Sequence, residues 1–434
     1  MKKALVLLFV FCWIFSTHAQ SFNTIFPEQQ QNQFDGGLGM TWIDGQPYTT
    51  FTLAPEFAFG KLGVGLFIQL HFSNNDNFKL RKIGWENGAG YWRMFNYIRW
   101  GIKGDPLYVR LGSLQASYLG NGFIMGYYSN MADYDNRKLG LIIDFDMGSF
   151  GMESMTSNLG RLEIIGGRFY YRPLHTSEMP ILSNLEVGAT YVTDIDPDVN
   201  RDTHDQVQEF GADVTLPIMK NEIFNWAIYT DYAKINKHGD GFAFGMRMGL
   251  PNLVGVFGLY AKIEKRIMNK EFLPTYFNAI YELERQLLPP SYYNLQDTRI
   301  DDMTKEDYLE TVGGKEGIFG ELAGHILGKI KLLGSYQYVQ NVDNSGLLHL
   351  EAKSNDFIPN VLLYYTYDKG GIETFEDVYT LDYRSVAVAE IGYKTYPFLY
   401  VTLRYRWNFY YDDETDSYKP QERFEPSVRF IMEF

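Results

Sequence analysis

Cysteine is all but absent from this chain of 434 residues: the single one, Cys12, lies in the apolar run Ala4–Phe15. Lys2 and Lys3 precede that run and Thr17-His18-Ala19 follows it, which is the plan of an export signal cleaved before Gln20. The run is too short to cross a bilayer as a helix, which takes roughly 20 residues. Apolar Trp13, Ile14 and Phe15 directly follow Cys12, unlike the surroundings of a lipid-attachment cysteine. With residues 1–19 removed the mature chain has no cysteine, which excludes disulfides, thiolate nucleophiles and cysteine metal sites together. Positive charge is scarce as well. Against 53 acidic residues stand 39 basic ones, and loss of Lys2 and Lys3 takes the formal charge from −14 to −16. Nucleic acid is therefore not an expected partner, because phosphate contacts need a basic face. No later apolar run is long enough for a membrane helix. An exported chain with 45% hydrophobic residues is then either a soluble all-β protein or a membrane-spanning barrel.

Aromatic residues and glycine are plentiful, with 33 Tyr, 32 Phe and 41 Gly against only 16 Pro. The aromatics fall in alternating segments. Leu399, Val401, Leu403, Tyr405, Trp407 and Phe409 share one face of a strand whose other face holds Thr402, Arg404, Arg406 and Asn408. Phe242, Phe244, Met246 and Met248 alternate with Ala243, Gly245 and Arg247, and Leu107, Val109 and Leu111 with Tyr108, Arg110 and Gly112. Leu139, Leu141, Ile143 and Phe145 alternate with Gly140, Asp144 and Asp146, with Ile142 the one exception. The chain closes on Phe424, Val428, Phe430, Met432 and Phe434 against Glu425, Ser427 and Arg429. Arginines on the polar face are costly in a sandwich core and acceptable in a wet lumen. Segment 254–263 is apolar on both faces, and a phase change at Gly166-Gly167 predicts a bulge.

The segments number about 20, with 18 as the neighbouring even count. Loop lengths sort by parity. Connections 74–92, 115–136, 195–206, 266–316, 369–384 and 410–423 fall on one side. Tight turns such as Gly60-Lys61, Gly104-Asp105 and Pro251-Asn252 fall on the other, and only 173–183 is long there. Long outer loops with short inner turns are a barrel property. The expected fold is an all-β, transmembrane antiparallel β-barrel. It forms one domain over 20–434, with a short helix in a long outer loop.

With these features the chain resembles Gram-negative outer-membrane porins as a broad class. Its last strand, Glu425 to Phe434, is similar to the C-terminal signal of that class, so Phe430 and Phe434 are its assembly-signal residues. The stretch R-L-G-S-L-Q-A-S-Y-L-G-N-G-F-I, from Arg110, is loosely similar to an element of exopolysaccharide-export and substrate-selective porins. The chain departs from TonB-dependent transporters, with no plug-sized domain before the first strand, and has no peptidoglycan-binding tail. The resemblance implies an outer-membrane location and the barrel-assembly machinery as a partner. It also implies surrounding lipid and lipopolysaccharide and small solutes, and it leaves open whether the barrel forms a homotrimer.

Four groups of residues are functional candidates. Arg99, Arg110, Asp144, Asp146, Asp213, Arg247, Glu390, Arg404, Arg406, Glu425 and Arg429 are lumen charges that set selectivity or brace the wall. Loop 266–316 has apolar residues at helical spacing over 276–288, stopped by Pro289-Pro290. It offers Tyr281, Glu284 and Arg285 to a constriction or to a solvated surface loop. Loop 115–136 offers Gly120-Asn121-Gly122 with Tyr118, Phe123 and Tyr127, packing into the barrel mouth or stacking on sugars. Asp194, Asp196, Asp198 and Asp202 read as a Ca²⁺ loop or as an acidic solvated one; otherwise no cofactor is expected. Histidines are scattered without zinc spacing, and His71 near Ser73 is the sole hint of a rim-located lipid hydrolase. The expected function is a passive or substrate-selective channel for small hydrophilic solutes. The alternatives are a plugged barrel taking up hydrophobic or glycan ligands and a closed structural or export-assembly barrel.

Overall fold

A computed structural model describes residues 32–83, 85, 88–135, 137–197, 206–221, 223–253, 256–285, 304–412 and 417–433. The leader 1–19, Asp198, Asp202, Pro289-Pro290 and Phe434 lie outside them. One antiparallel sheet holds every strand, and 22 strand segments make 20 staves because two staves are each split in two. In chain order they are β1 (Gln33–Ile43), β2 (Gln46–Leu53 with Glu56–Phe59), β3 (Leu62–Leu66 with Ile68–Ser73), β4 (Phe95–Trp100) and β5 (Leu107–Gly112). Next come β6 (Gly140–Asp146), β7 (Phe150–Thr156), β8 (Ile164–Tyr171), β9 (Glu186–Asp194) and β10 (Val207–Lys220). Then follow β11 (Asn225–Ile235), β12 (Asp240–Leu253), β13 (Phe257–Met268), β14 (Glu316–Ile326) and β15 (Ile330–Val339). The last are β16 (Gly346–Asn355), β17 (Val361–Ile372), β18 (Ser385–Tyr396), β19 (Leu399–Asp412) and β20 (Ser417–Glu433). The split in β2 falls at Ala54-Pro55, where proline has no N–H to give the ladder. The sheet closes when β1 pairs with β20 through Leu38↔Val428 and Trp42↔Phe424, which leaves no free edge.

Alternation decides which face meets lipid. Along β13, Phe257, Leu259, Ile263 and Ile267 point outward, whereas Tyr260, Lys262, Glu264, Arg266 and Met268 are buried inside. Phe244, Ile263, Leu322 and Val401 are each more than half exposed on an otherwise folded wall. Water would make such a belt costly, and hydrocarbon makes it favourable. Among the described residues no helix is long and apolar enough to span a membrane, so the strands do the crossing.

Three local expectations change. No bulge occurs at Gly166-Gly167: β8 pairs without a register shift on both sides, with Ile165, Phe169 and Tyr171 outward. One glycine faces in and one out, so the alternation never breaks. The stretch 410–423 is mostly strand, because β19 and β20 stay paired up to Asp412↔Ser417. Segment 254–263 is two-faced only in composition, since Tyr260 points into the lumen.

The outer loops that join β5 to β6 and β13 to β14 turn inward. Gly112 carries φ +135°, where L side chains are strained, and its position passes tightly over the Asn96 carbonyl as the chain leaves the wall. Segments 113–135, 269–285 and 304–312 then fill much of the lumen. Tyr128, Phe272, Tyr276, Phe277 and Tyr281 are fully buried there against Ile142, Ile164, Val192, Ala233 and Val339 of the wall. Ile142 breaks the polar pattern of β6 because it faces this plug. Among the described residues the expected helix within 266–316 is one short turn, Tyr281–Glu284, and a second, Lys305–Leu309, begins at a Thr304/Asp307 capping box.

Candidate functional site

The plug is a pair of strapped loops. Ser117 and Tyr128 exchange backbone hydrogen bonds, and Asn130 caps Leu114 N–H while donating to Ser157 O at 2.8 Å. Thr275 N–H donates to Phe123 O at 2.6 Å and Phe277 N–H to Ile124 O at 3.2 Å, which joins the second loop to the first. At the tip Gly120 takes φ +56°, and a Cβ there would meet Arg168. Gly120 N–H donates to Glu153 at 2.7 Å. The Asn121 amide donates to Asp231 at 3.2 Å, while its oxygen accepts from Arg247 at 2.8 Å and its backbone O from Lys262 at 2.6 Å. One asparagine thereby joins β11, β12 and β13, and Gly120 adds β7.

Tyr118 and Tyr127 both donate to Glu321, and Phe123 packs 5.6 Å from Phe272. On the second loop Arg285 binds Glu163 at 2.9 Å and Asp194 at 2.8 Å, while the Tyr281 hydroxyl donates to Asp194 at 2.9 Å. Glu284 pairs with Lys305. All six loop candidates thus lie inside the mouth. Burial alone would raise Glu163, yet Lys138 and then Arg285 hold its carboxyl down to about 2. Burial would also raise Asp135, but the guanidiniums of Arg423 and Arg81 keep it well below the usual carboxylate range.

The acidic candidates separate. Asp194 uses its carboxylate on Arg285 and Tyr281, Asp196 meets Arg161 at 3.3 Å, and Asp198 and Asp202 lie outside the described residues. His71 and Ser73 do not face one another: His71 Nδ1 lies 2.8 Å from Thr50 Oγ1, whereas Ser73 Oγ accepts turn amides from Asn75 and Asp76.

The lumen charges fall into three places. Near the inner end Arg99 and Arg110 are cross-strand neighbours, Asp144 meets Lys103 at 3.3 Å, and Asp146 meets Arg172 at 2.8 Å. Under the plug Arg247 joins a sealed charge network: Arg168 holds Asp213 at 2.6 Å and Glu186 at 2.7 Å, and Glu264 takes Lys262 and Arg266. Beside the plug Arg404 and Arg429 share Glu390, Arg429 also binds Asp35, and Arg406 reaches Glu425 at 3.5 Å and lies over Tyr134. Sequence reasoning missed Arg168, Lys262, Glu264, Arg266 and Glu321. The signal for three of them is the alternation of Lys262, Glu264 and Arg266 with Ile263 and Ile267, which Lys265 interrupts on the outer face.

The third place borders open space. Between β1–β4 and β19–β20 lies a cavity of about 200 Å³, walled by Asp35, Glu56, Arg404, Glu425 and Arg429 and by neutral polar side chains. The plug thus packs against most of the wall, and this polar cavity lies beside it. A closed, lipid-faced wall around a charged interior makes the protein a transmembrane β-barrel of the outer-membrane type. Phe430 lies on the lipid face of the last strand.

No protein-family model matches the sequence, and no curated protein matches it. Among solved structures, Pseudomonas aeruginosa OccK8 (OprE) aligns over 93% of this chain and 98% of its own at 9% identity, with a TM-score of 0.35. OccK2 (OpdF) of the same organism, solved in complex with glucuronate, aligns over 93% and 96% at 9% identity and a TM-score of 0.33. Its OpdK, solved with vanillate, aligns over 94% and 100% at 10% identity and a TM-score of 0.32.

Proposed function

We propose that this chain is an outer-membrane channel that passes small hydrophilic solutes along one side of a partly filled lumen. The observation that carries the reading is the polar cavity beside the plug. The plug's main apolar core packs on β5–β15 and a smaller cluster, Ala132, Ile280 and Leu283, reaches Phe409 of β19, while the cavity remains between β1–β4 and β19–β20. A ring of about 20 strands encloses more space than its own side chains fill, so loops set the bore. Across that cavity, paired arginines and carboxylates give a transverse field to which a hydrated solute responds.

Planar-bilayer recording of the purified protein tests this. Steady, small open steps in KCl are expected. Lasting silence would overturn the reading and favour a plugged barrel for hydrophobic or glycan ligands, or a closed structural or export-assembly barrel. The protein is read as non-enzymatic, because His71 is engaged by Thr50 on the inward face. Lipid hydrolysis that His71→Ala abolishes would reverse that. The same reading has the last strand engaged by the barrel-assembly machinery and the outer rim set in lipopolysaccharide.

A further inference from the structure

The lining of the open cavity says which solutes suit it. Its charges are spent on each other. Arg429 binds Asp35 and Glu390, Arg404 binds Glu390, and Glu425 has Arg406 at 3.5 Å. The lining carries Arg404 and Arg429 against Asp35, Glu56 and Glu425, an excess of one carboxylate. An entering anion must shed water, and it meets cations already matched by carboxylates, with no free positive charge to replace its hydration. Neutral groups are differently placed. Gln33, Thr52 and Asn96 line the same space, and among the described residues none of their side chains has a protein hydrogen-bond partner. Gln69 beside them has only a long contact of 3.5 Å from the Tyr134 hydroxyl. Amides and a hydroxyl each donate and accept, which is the pattern that sugar hydroxyls need.

We propose that the cavity is a subsite for neutral polyhydroxylated solutes, of the saccharide class, held by Gln33, Thr52, Gln69 and Asn96. This inference rests on the channel reading. Its selectivity follows from unspent neutral donors and acceptors in a compartment whose ions are paired. A site built to hydrogen-bond hydroxyls penalises a solute that leaves those groups unmet.

Three solutes of similar size and different charge test it: glucose, gluconate and glucosamine. In proteoliposomes of the full mature chain, swelling in glucose outpaces swelling in gluconate by about threefold or more, and glucosamine does not trail glucose. The double variant Thr52→Val with Asn96→Leu lowers glucose swelling about threefold relative to the KCl conductance of the same variant. Retained heat-modifiable gel mobility shows that the variant is folded, and Gln69→Leu alone supplies a milder second case. Gluconate entering as fast as glucose, or swelling ratios unmoved in both variants, would overturn the inference and leave the channel standing. No conductance at all would remove the channel reading itself.

Discussion

Asn121 is the residue on which the plug tip depends. It is buried, and it offers its amide to Asp231 while accepting from Arg247 and Lys262. Replacing it with leucine leaves Asp231 and Arg247, which bond its side chain, short of a partner, while Lys262 keeps the backbone oxygen; the cost is about 1–3 kcal/mol for each group stranded. Asn121→Leu should therefore lower, by several degrees, the temperature at which the folded band loses its gel mobility. Gly120→Ala adds strain at φ +56° and acts in the same direction. Glu163 gives a pH prediction. Its folded value of about 2 lies below the 4.5 of an unperturbed glutamate, so its contribution is complete above the unfolded value and fades as pH falls toward the folded one. The anchoring of 281–285 should not change between about pH 8 and 5 and should loosen only below about 4, as read by amide exchange of that segment. Such couplings were half legible. Arg247 and Arg285 were candidates by residue type and face, but no local pattern tells which carboxylates, far along the chain, will meet them.

At the scale of elements, the strands could be read directly because period-two alternation is local and lipid enforces it on one face. The inward loops were legible only in outline. Their length, the Gly120-Asn121-Gly122 tip and their aromatic content required burial somewhere, and Ile142 marked one wall position that would receive them. How they join depends on contacts such as Met125↔Phe277, and where they meet the wall on contacts such as Asp133↔Phe409, which no window of sequence contains. The helix was overestimated because spacing over 276–288 was apolar for packing reasons: Phe277, Ile280 and Tyr281 bury into the barrel and not along a helix face. Phe277 stands at the junction of the two loops. Phe277→Ala should cost about 3–5 kcal/mol. The loss should appear as faster exchange at the Gly126 and Thr275 amides that join the loops, with the β16–β20 wall unchanged.

For the molecule as a whole, two designs share one chain: a wall that needs hydrocarbon outside it, and an interior packed in part like a soluble core. The wall predicts slow unfolding and a gel mobility that changes on boiling, and an unchanged mobility would contradict the barrel. The interior predicts that access from water is lopsided. Residues 20–434 contain no cysteine, which makes that directly measurable, since a thiol introduced into that stretch reports alone. Thr52→Cys faces the open cavity and Ala233→Cys the sealed plug core. With the folded protein in a planar bilayer, a charged thiol reagent should react with Thr52→Cys and change its conductance while leaving Ala233→Cys unmodified. Equal reaction at both positions, or reaction at Ala233→Cys alone, would contradict a sealed plug with an open cavity beside it.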